Sequence, residues 1–318
     1  MPVIETRLQF FPIMLFAVVM GFSGLALVYQ KAHGLFGFPS FLGNGLAYID
    51  LALFIAVALF YGAKLLRYPD EVKQEFRHPV RINFFAAISI SLLLLAIVYE
   101  HLCPTLSAAT WYAGVVLHTF FTFYTVSFWI NHNFEIQHSN PAWFIPIVGN
   151  VIIPVGGIHY APTEFLFFYF SVGLLFWVVL LTIIMNRIIF HNQLAAKFMP
   201  TLFILIAPPA VGFIAWYKMT GTLDHFAQFL LMLTLFFTFL IAFMYKNFVK
   251  IKFFISWWAF TFPMAAATLA VMLAFSLTHS SFYQLLSWIL LVATTLIVSV
   301  VAYQTVLHML KREICVAE

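Results

Sequence analysis

The sequence predicts an all-α polytopic membrane protein with ten transmembrane helices. Three observations carry that prediction. The 318 residues are 64% apolar and 8% charged, with a mean hydropathy of +1.01, whereas a soluble domain carries about a quarter charged residues. Ten apolar segments of bilayer-spanning length recur along the chain. Thirteen of the fifteen lysines and arginines fall in connections on one side of those segments.

The segments run roughly over 9–31, 44–66, 80–100, 105–130, 142–159, 163–187, 199–218, 223–245, 254–277 and 282–308. Short connections join them, and most hold turn residues, such as Gly34, Gly37, Pro39 and Gly43 after the first. The first run lacks a small-residue cleavage site and reads as a retained helix. No stretch is long or polar enough for a soluble domain, so residues 1–318 read as one membrane domain.

Orientation follows from the basic residues. Arg7, the group from Lys64 to Arg81, Arg187, Lys197, Lys246, Lys250, Lys252, Lys311 and Arg312 share one side, and only Lys31 and Lys218 fall on the other. With ten spans, both termini are expected in the cytoplasm of a cell whose inner or plasma membrane holds the protein.

Prolines mark alternate spans. Pro12, Pro146, Pro154, Pro208, Pro209 and Pro263 fall in odd-numbered segments and Pro79 begins the third, while even segments hold none in their interiors. Small residues lean the same way: Gly21, Gly24, Ala86, Ala87, Gly156, Gly157, Ala207, Ala210 and Ala265 to Ala267. Broken, small-residue helices survive in lipid where they are buried or line a cavity. The pattern predicts five helical hairpins, with an inner ring of odd helices kinked at Pro12, Pro154, Pro208 and Pro263. Gly21, Gly24, Gly156, Ala207 and Ala266 are the candidate lining residues. The plainer alternative is that prolines settle wherever helices pack.

Within the ninth segment, Trp257-Trp258-Ala259-Phe260-Thr261-Phe262-Pro263-Met264-Ala265-Ala266-Ala267 combines a proline, three small residues and one large ring. A bent helix, a gap and a bulky side chain are the parts of a hydrophobic constriction, which can gate by excluding water. Phe262 is also one of forty phenylalanines, most of which must face lipid or pack helices.

The chemistry that is absent narrows the function. Asp50, Glu100 and Glu164 are expected near helix ends, and no lysine or arginine reaches a span centre. A coupled carrier usually shows an intramembrane relay of ionisable groups, so a passive conduit is favoured, selecting by diameter, dipoles and the basic rim. The basic residues are too dispersed for nucleic acid. Cys103 and Cys315 have no CxxC partner and fall on opposite sides. His118 is mid-span without a partner at helical spacing, an interhelical hydrogen-bonder rather than a ligand, and His132, Glu135 and His138 share a loop as the weak metal alternative. No enzyme motif or cofactor site appears. The charge-rich stretch from Arg67 to Arg81 predicts a short interfacial helix. It serves either as a headgroup anchor or, through Arg77 and Arg81, as a cytoplasmic collar for anions.

Glu75-Phe76-Arg77-His78-Pro79-Val80-Arg81-Ile82-Asn83-Phe84-Phe85, Ile147-Val148-Gly149-Asn150, Ile206-Ala207-Pro208-Pro209-Ala210 with Ile214-Ala215-Trp216, and the Trp257–Met264 motif resemble one family in order and spacing. It is the tellurite-resistance/C4-dicarboxylate transporter family, which includes bacterial TehA and the plant slow anion channels of guard cells. The resemblance implies five hairpins around a central pore, a homotrimer with one pore per subunit, and an anion conduit occluded by a phenylalanine at the position of Phe262. The expected function is a passive channel for small anions such as chloride or nitrate. The alternative is a secondary transporter of C4-dicarboxylates such as malate, or of sulfite or tellurite. The plant channels carry long cytoplasmic tails; none is expected here, so kinase activation of that kind is not carried over.

Overall fold

The computed structural model describes residues 7–316, so the extreme ends of the domain expected over 1–318 lie outside the described residues. Ten apolar helices follow one another among them: α1 (Ile13–Phe36), α2 (Ser40–Arg67), α3 (Arg81–Tyr99), α4 (Pro104–Asn131), α5 (Pro141–Gly157), α6 (Thr163–Phe190), α7 (Ala196–Thr220), α8 (His225–Phe243), α9 (Ile255–Thr278) and α10 (Ser281–Leu310). All but the shorter α5 are long and apolar enough to cross a membrane. The protein is an all-helical, multi-span membrane protein.

The helices differ in how they begin. Each odd helix opens as a 3-10 turn: Ile13–Leu15, Arg81–Phe85, Pro141–Phe144, Ala196–Leu205 and Ile255–Phe260. Each even helix is α-helical from its first residue. The proline pattern finds its physical reason here. Pro208 and Pro263 fall just after the switch from 3-10 to α, where the backbone hydrogen-bond register changes from three to four residues. Pro12 stands ahead of its helix and starts it rather than bending it. Pro154 alone of the four expected kinks is interior to an α-helix.

Around Pro154, neighbours supply the donors that irregular backbone in lipid requires. Asn150 Nδ2 donates to the Ile147 carbonyl (2.9 Å) and Thr122 Oγ1 to that of Pro146 (3.0 Å). Trp111 Nε1 reaches Ile153 O (3.1 Å) and Lys218 Nζ reaches Val155 O (2.9 Å).

Burial sorts the helices the same way. The most apolar windows of α1, α3, α7 and α9 are 67–83% buried, those of the even helices 22–44%, and α5 is buried throughout from Pro146 to Gly157. Packing runs α1 on α3, α3 on α5, α5 on α7, α7 on α9 and α9 back on α1, a closed cycle. The five 3-10 turns repeat that cycle among themselves. Each odd helix also packs on the even helix that follows it.

Two boundaries depart from expectation. Gly34 continues α1, which stops only where Gly37 takes a left-handed conformation (φ 71°). Gly43 lies inside α2, where a Cβ would come within 2.9 Å of the Gln30 backbone nitrogen; it is a close-packing residue, not a turn. Because α2 starts early, Asp50 is no end residue. It is fully buried well inside the helix and accepts from Ser23 Oγ at 2.5 Å. His118 is fully buried with Nδ1 2.8 Å from Ser89 Oγ, an interhelical hydrogen bond.

The interfacial helix forms over Pro69–Arg77. Its Glu75 is buried, with Oε2 accepting from Lys64 Nζ (2.9 Å) and Tyr61 OH (2.8 Å), while Lys64 Nζ also donates to Phe11 O. Removing one partner of such a pair strands the other charge, at a cost of about 3–5 kcal/mol. Glu75→Ala is therefore expected to lower the unfolding temperature in detergent sharply. Lys64→Met with Glu75→Leu is expected to recover most of that loss. Equal losses in the two proteins would show that the ion pair does not hold this helix.

Candidate functional site

Two connected cavities run inward from the basic end. The outer one, about 960 Å³, is lined by the cations Lys64, Arg81, Lys197 and Lys252 and by the carboxylates Glu71, Glu75 and Glu313. Cys315 also faces it; burial pushes its thiol up from the ordinary value, against the opposing pull of Arg7 and Lys64. The inner one is a slot of about 60 Å³. Met14, Phe84, Ile255 and Ser256 line both, so the slot opens from the vestibule.

Every residue lining the slot belongs to an odd helix. α1 gives Met14, Ala17 and Met20; α3 gives Phe84, Ala87 and Ile90; α5 gives Phe144, Ile145, Val148, Gly149 and Ile152. Thr201, Ile204 and Ala207 come from α7, and Ile255, Ser256, Trp258, Ala259, Phe262 and Pro263 from α9. None of them carries an ionisable side chain. The slot lies where 3-10 backbone gives way to α-helix in the odd helices.

Phe262 is 9% exposed and shares a buried cluster with Ala207, Ala210, Ala266 and Ala270. Of the other small residues singled out in the sequence, Ala207 lines the slot and Ala266 lies behind the ring, one turn along α9. The three glycines serve close helix approach instead. A Cβ on Gly21 would come 2.5 Å from Thr261 Oγ1, and one on Gly24 2.7 Å from the Ala265 Cβ and 3.6 Å from Phe262 Cδ2. On Gly156 it would come 2.9 Å from Ile97 Cγ1. Pro12 edges the vestibule, while Pro154 and Pro208 line neither cavity. Arg81 faces the vestibule; Arg77 is exposed on the interfacial helix and does not line it. Sequence reasoning missed Ala17, Ile90, Val148, Gly149 and Ile152, and it named Ala87 among the small residues of the odd helices but not as a lining residue. Ala87 and Gly149 stood inside or beside quoted motifs, yet nothing in the sequence says that they face inward. Among the described residues, His132, Glu135 and His138 do not gather into a metal-ligating group.

A helix-contact glycine and a cavity-lining alanine respond differently to added atoms. Gly21→Ala and Gly24→Ala are expected to destabilise the protein by about 1–3 kcal/mol through overpacking, whereas Ala207→Ser, which faces open space, leaves the detergent unfolding temperature nearly unchanged. Equal unfolding temperatures for all three would remove the distinction between seam and lining.

The chain is similar to several named proteins. S-type anion channel SLAH3 of Arabidopsis thaliana is 28% identical over 306 residues, covering 94% of this chain and 48% of that protein. Guard cell S-type anion channel SLAC1 of the same plant is 26% identical over 271 residues, 82% of this chain and 49% of the relative. The tellurite resistance protein TehA homolog of Haemophilus influenzae is 24% identical over 256 residues, 79% and 77% of the two chains. The chain thus spans about half the length of these plant relatives. The family model SLAC1, voltage-dependent anion channel, matches residues 10–306. A match over nearly the whole chain, on a cycle of odd helices around an uncharged slot, makes this chain a member of the SLAC1 voltage-dependent anion channel family.

Proposed function

We propose that this chain is a passive anion channel of the inner or plasma membrane, conducting small anions such as chloride or nitrate through the cycle of odd helices. One observation carries the reading: a path from a vestibule rich in lysine and arginine narrows into a slot lined by all five odd helices without a single fixed charge. An uncharged slot offers no strong binding site, so an ion that sheds water easily passes without being trapped. The sign of selectivity comes from outside the slot. Four cations stand in the vestibule against three carboxylates, and the N-terminal ends of the five odd helices point there with their positive dipole ends. None of the described residues lining the slot is acidic.

Phe262 is the proposed gate. Its ring stands in the slot beside Gly24 and against the small residues of α7 and α9. A rotamer change alone costs about 1 kcal/mol, so closure depends on the packing around the ring. Passive transport fits the placement of Asp50, which is buried between α1 and α2 and lines neither cavity. The second reading, a secondary transporter of C4-dicarboxylates, sulfite or tellurite, draws on the similarity to the TehA homolog and to Methanocaldococcus jannaschii proteins described as transporters. A homotrimer follows from the family resemblance, with a mass three times the chain's 36.4 kDa. Both termini belong in the cytoplasm by the lysine and arginine bias.

Under voltage clamp, Phe262→Ala is expected to carry anion currents at least roughly tenfold above wild type, the gain from removing about 1.4 kcal/mol of barrier. Saturating malate uptake by wild type, with no current from either protein, would make the chain a carrier. Topology has its own test in the two native thiols. A membrane-impermeant maleimide is expected to label Cys103 in intact cells and Cys315 only after permeabilisation, more slowly because its thiol is held protonated. The opposite order would invert the orientation.

A further inference from the structure

The vestibule is far larger than any ion the slot could pass. Its volume of about 960 Å³ suits a whole organic molecule, whereas the slot beneath it measures about 60 Å³. A molecule that fills the first cannot enter the second.

The vestibule charges are not equivalent. Lys64 already pairs with Glu75 and donates to the Phe11 carbonyl. Glu75 also accepts from Tyr61 OH, Glu71 accepts from Gln9 Nε2 at 2.9 Å, and Glu313 Oε2 faces His308 Nε2 at 3.5 Å. Lys197 and Lys252 differ. Both line the cavity and are exposed, and no described carboxylate pairs with either ammonium.

Successive residues of α9 hold these two lysines. Ser256 Oγ donates to Lys197 O at 2.5 Å, and Trp257 Nε1 donates to Lys252 O at 3.0 Å. The opening turn of α9 thus fixes the backbone of both lysines. It does so at the neck, since Ser256 lines vestibule and slot alike. Aromatic rings stand beside them. Phe253 stacks on His308 with ring centres 4.3 Å apart, and Trp257 meets Phe253 edge-on at 5.5 Å. All three rings line the vestibule.

We propose that this wall binds an organic polyanion carrying an aromatic ring, of the nucleoside-phosphate class, and that its occupant blocks the slot. Lys197 and Lys252 take the phosphate, two ammonium groups for its two negative charges. The base lies on the platform of Phe253, Trp257 and His308, because every base offers a π-face for stacking. A chloride or nitrate ion has no ring to hold it there and exchanges freely.

Site and block are tested separately, because only the block rests on the conduit reading. Adenosine monophosphate is titrated calorimetrically into the purified full chain, with ribose phosphate and inorganic phosphate as probes that lack the base. Tighter binding of the nucleotide is expected. Lys197→Gln and Lys252→Gln are each expected to weaken it about three- to fivefold, the scale of one exposed charge contact. Phe253→Leu is expected to bring it down to the level of ribose phosphate. No binding, equal affinity for the three probes, or values unmoved in both lysine variants would overturn the site. Currents of Phe262→Ala are then recorded with the nucleotide on either side. Lysine-dependent block from the vestibule side alone is expected; block from both sides alike would overturn it. Lysine-dependent binding to a chain that passes no current keeps the site and counts against the conduit.

Discussion

The requirement that no backbone polar group face lipid unpaired governs this architecture. Regular α-helices meet it alone, and the even helices do so with half or more of their surface turned outward. The odd helices do not meet it alone. Each begins with a 3-10 turn, and α5 holds a proline in its interior. Such backbone is stable at membrane depth only when shielded and supplied with donors. The five 3-10 turns pack against one another, and side chains from α4, α5 and α7 serve the carbonyls around Pro154. The shielding even helices and the irregular odd ones are one solution to one constraint.

Much of this was legible in the sequence, and for a physical reason. Apolar length reports span number, because it is set by the solvent. The division into buried and exposed helices was legible through proline and small residues, which lipid-facing helices avoid. The mechanism behind the proline pattern was not. Proline is compatible with a kink and with a first turn alike, and only the backbone separates Pro154, inside a helix, from Pro12, ahead of one. Glycine carries the same ambiguity, so Gly34 and Gly43 read as turns although both lie in helices.

The candidate site was legible at its centre and not at its edges. Phe262 stood out because a large ring beside a proline and three alanines is an unusual local composition. Its neighbours in the slot are ordinary apolar residues, such as Ile90, Val148 and Ile152, and one sequence cannot tell which face of a buried helix points inward. One ion pair between non-sequential helices was equally hidden. Glu100 and Lys218, whose side chains stand 3.5 Å apart, are far apart in the chain, and each alone looks like a solvated helix end.

The contact between α1 and α9 carries a further consequence. Gly21 and Gly24 let these two helices approach so closely that a single added methyl would collide with Thr261 or Ala265. The cycle of odd helices is closed by this seam, and its partners are separated by most of the chain. During synthesis three of the five contacts can form in order as α1, α3, α5 and α7 emerge. The two that α9 makes cannot form until the ninth helix is inserted. Until then the glycine face of α1 has no partner, and the vestibule and the slot are open along one side. The cycle is therefore closed last, and a chain interrupted before residue 255 has four of the five odd helices and no closure.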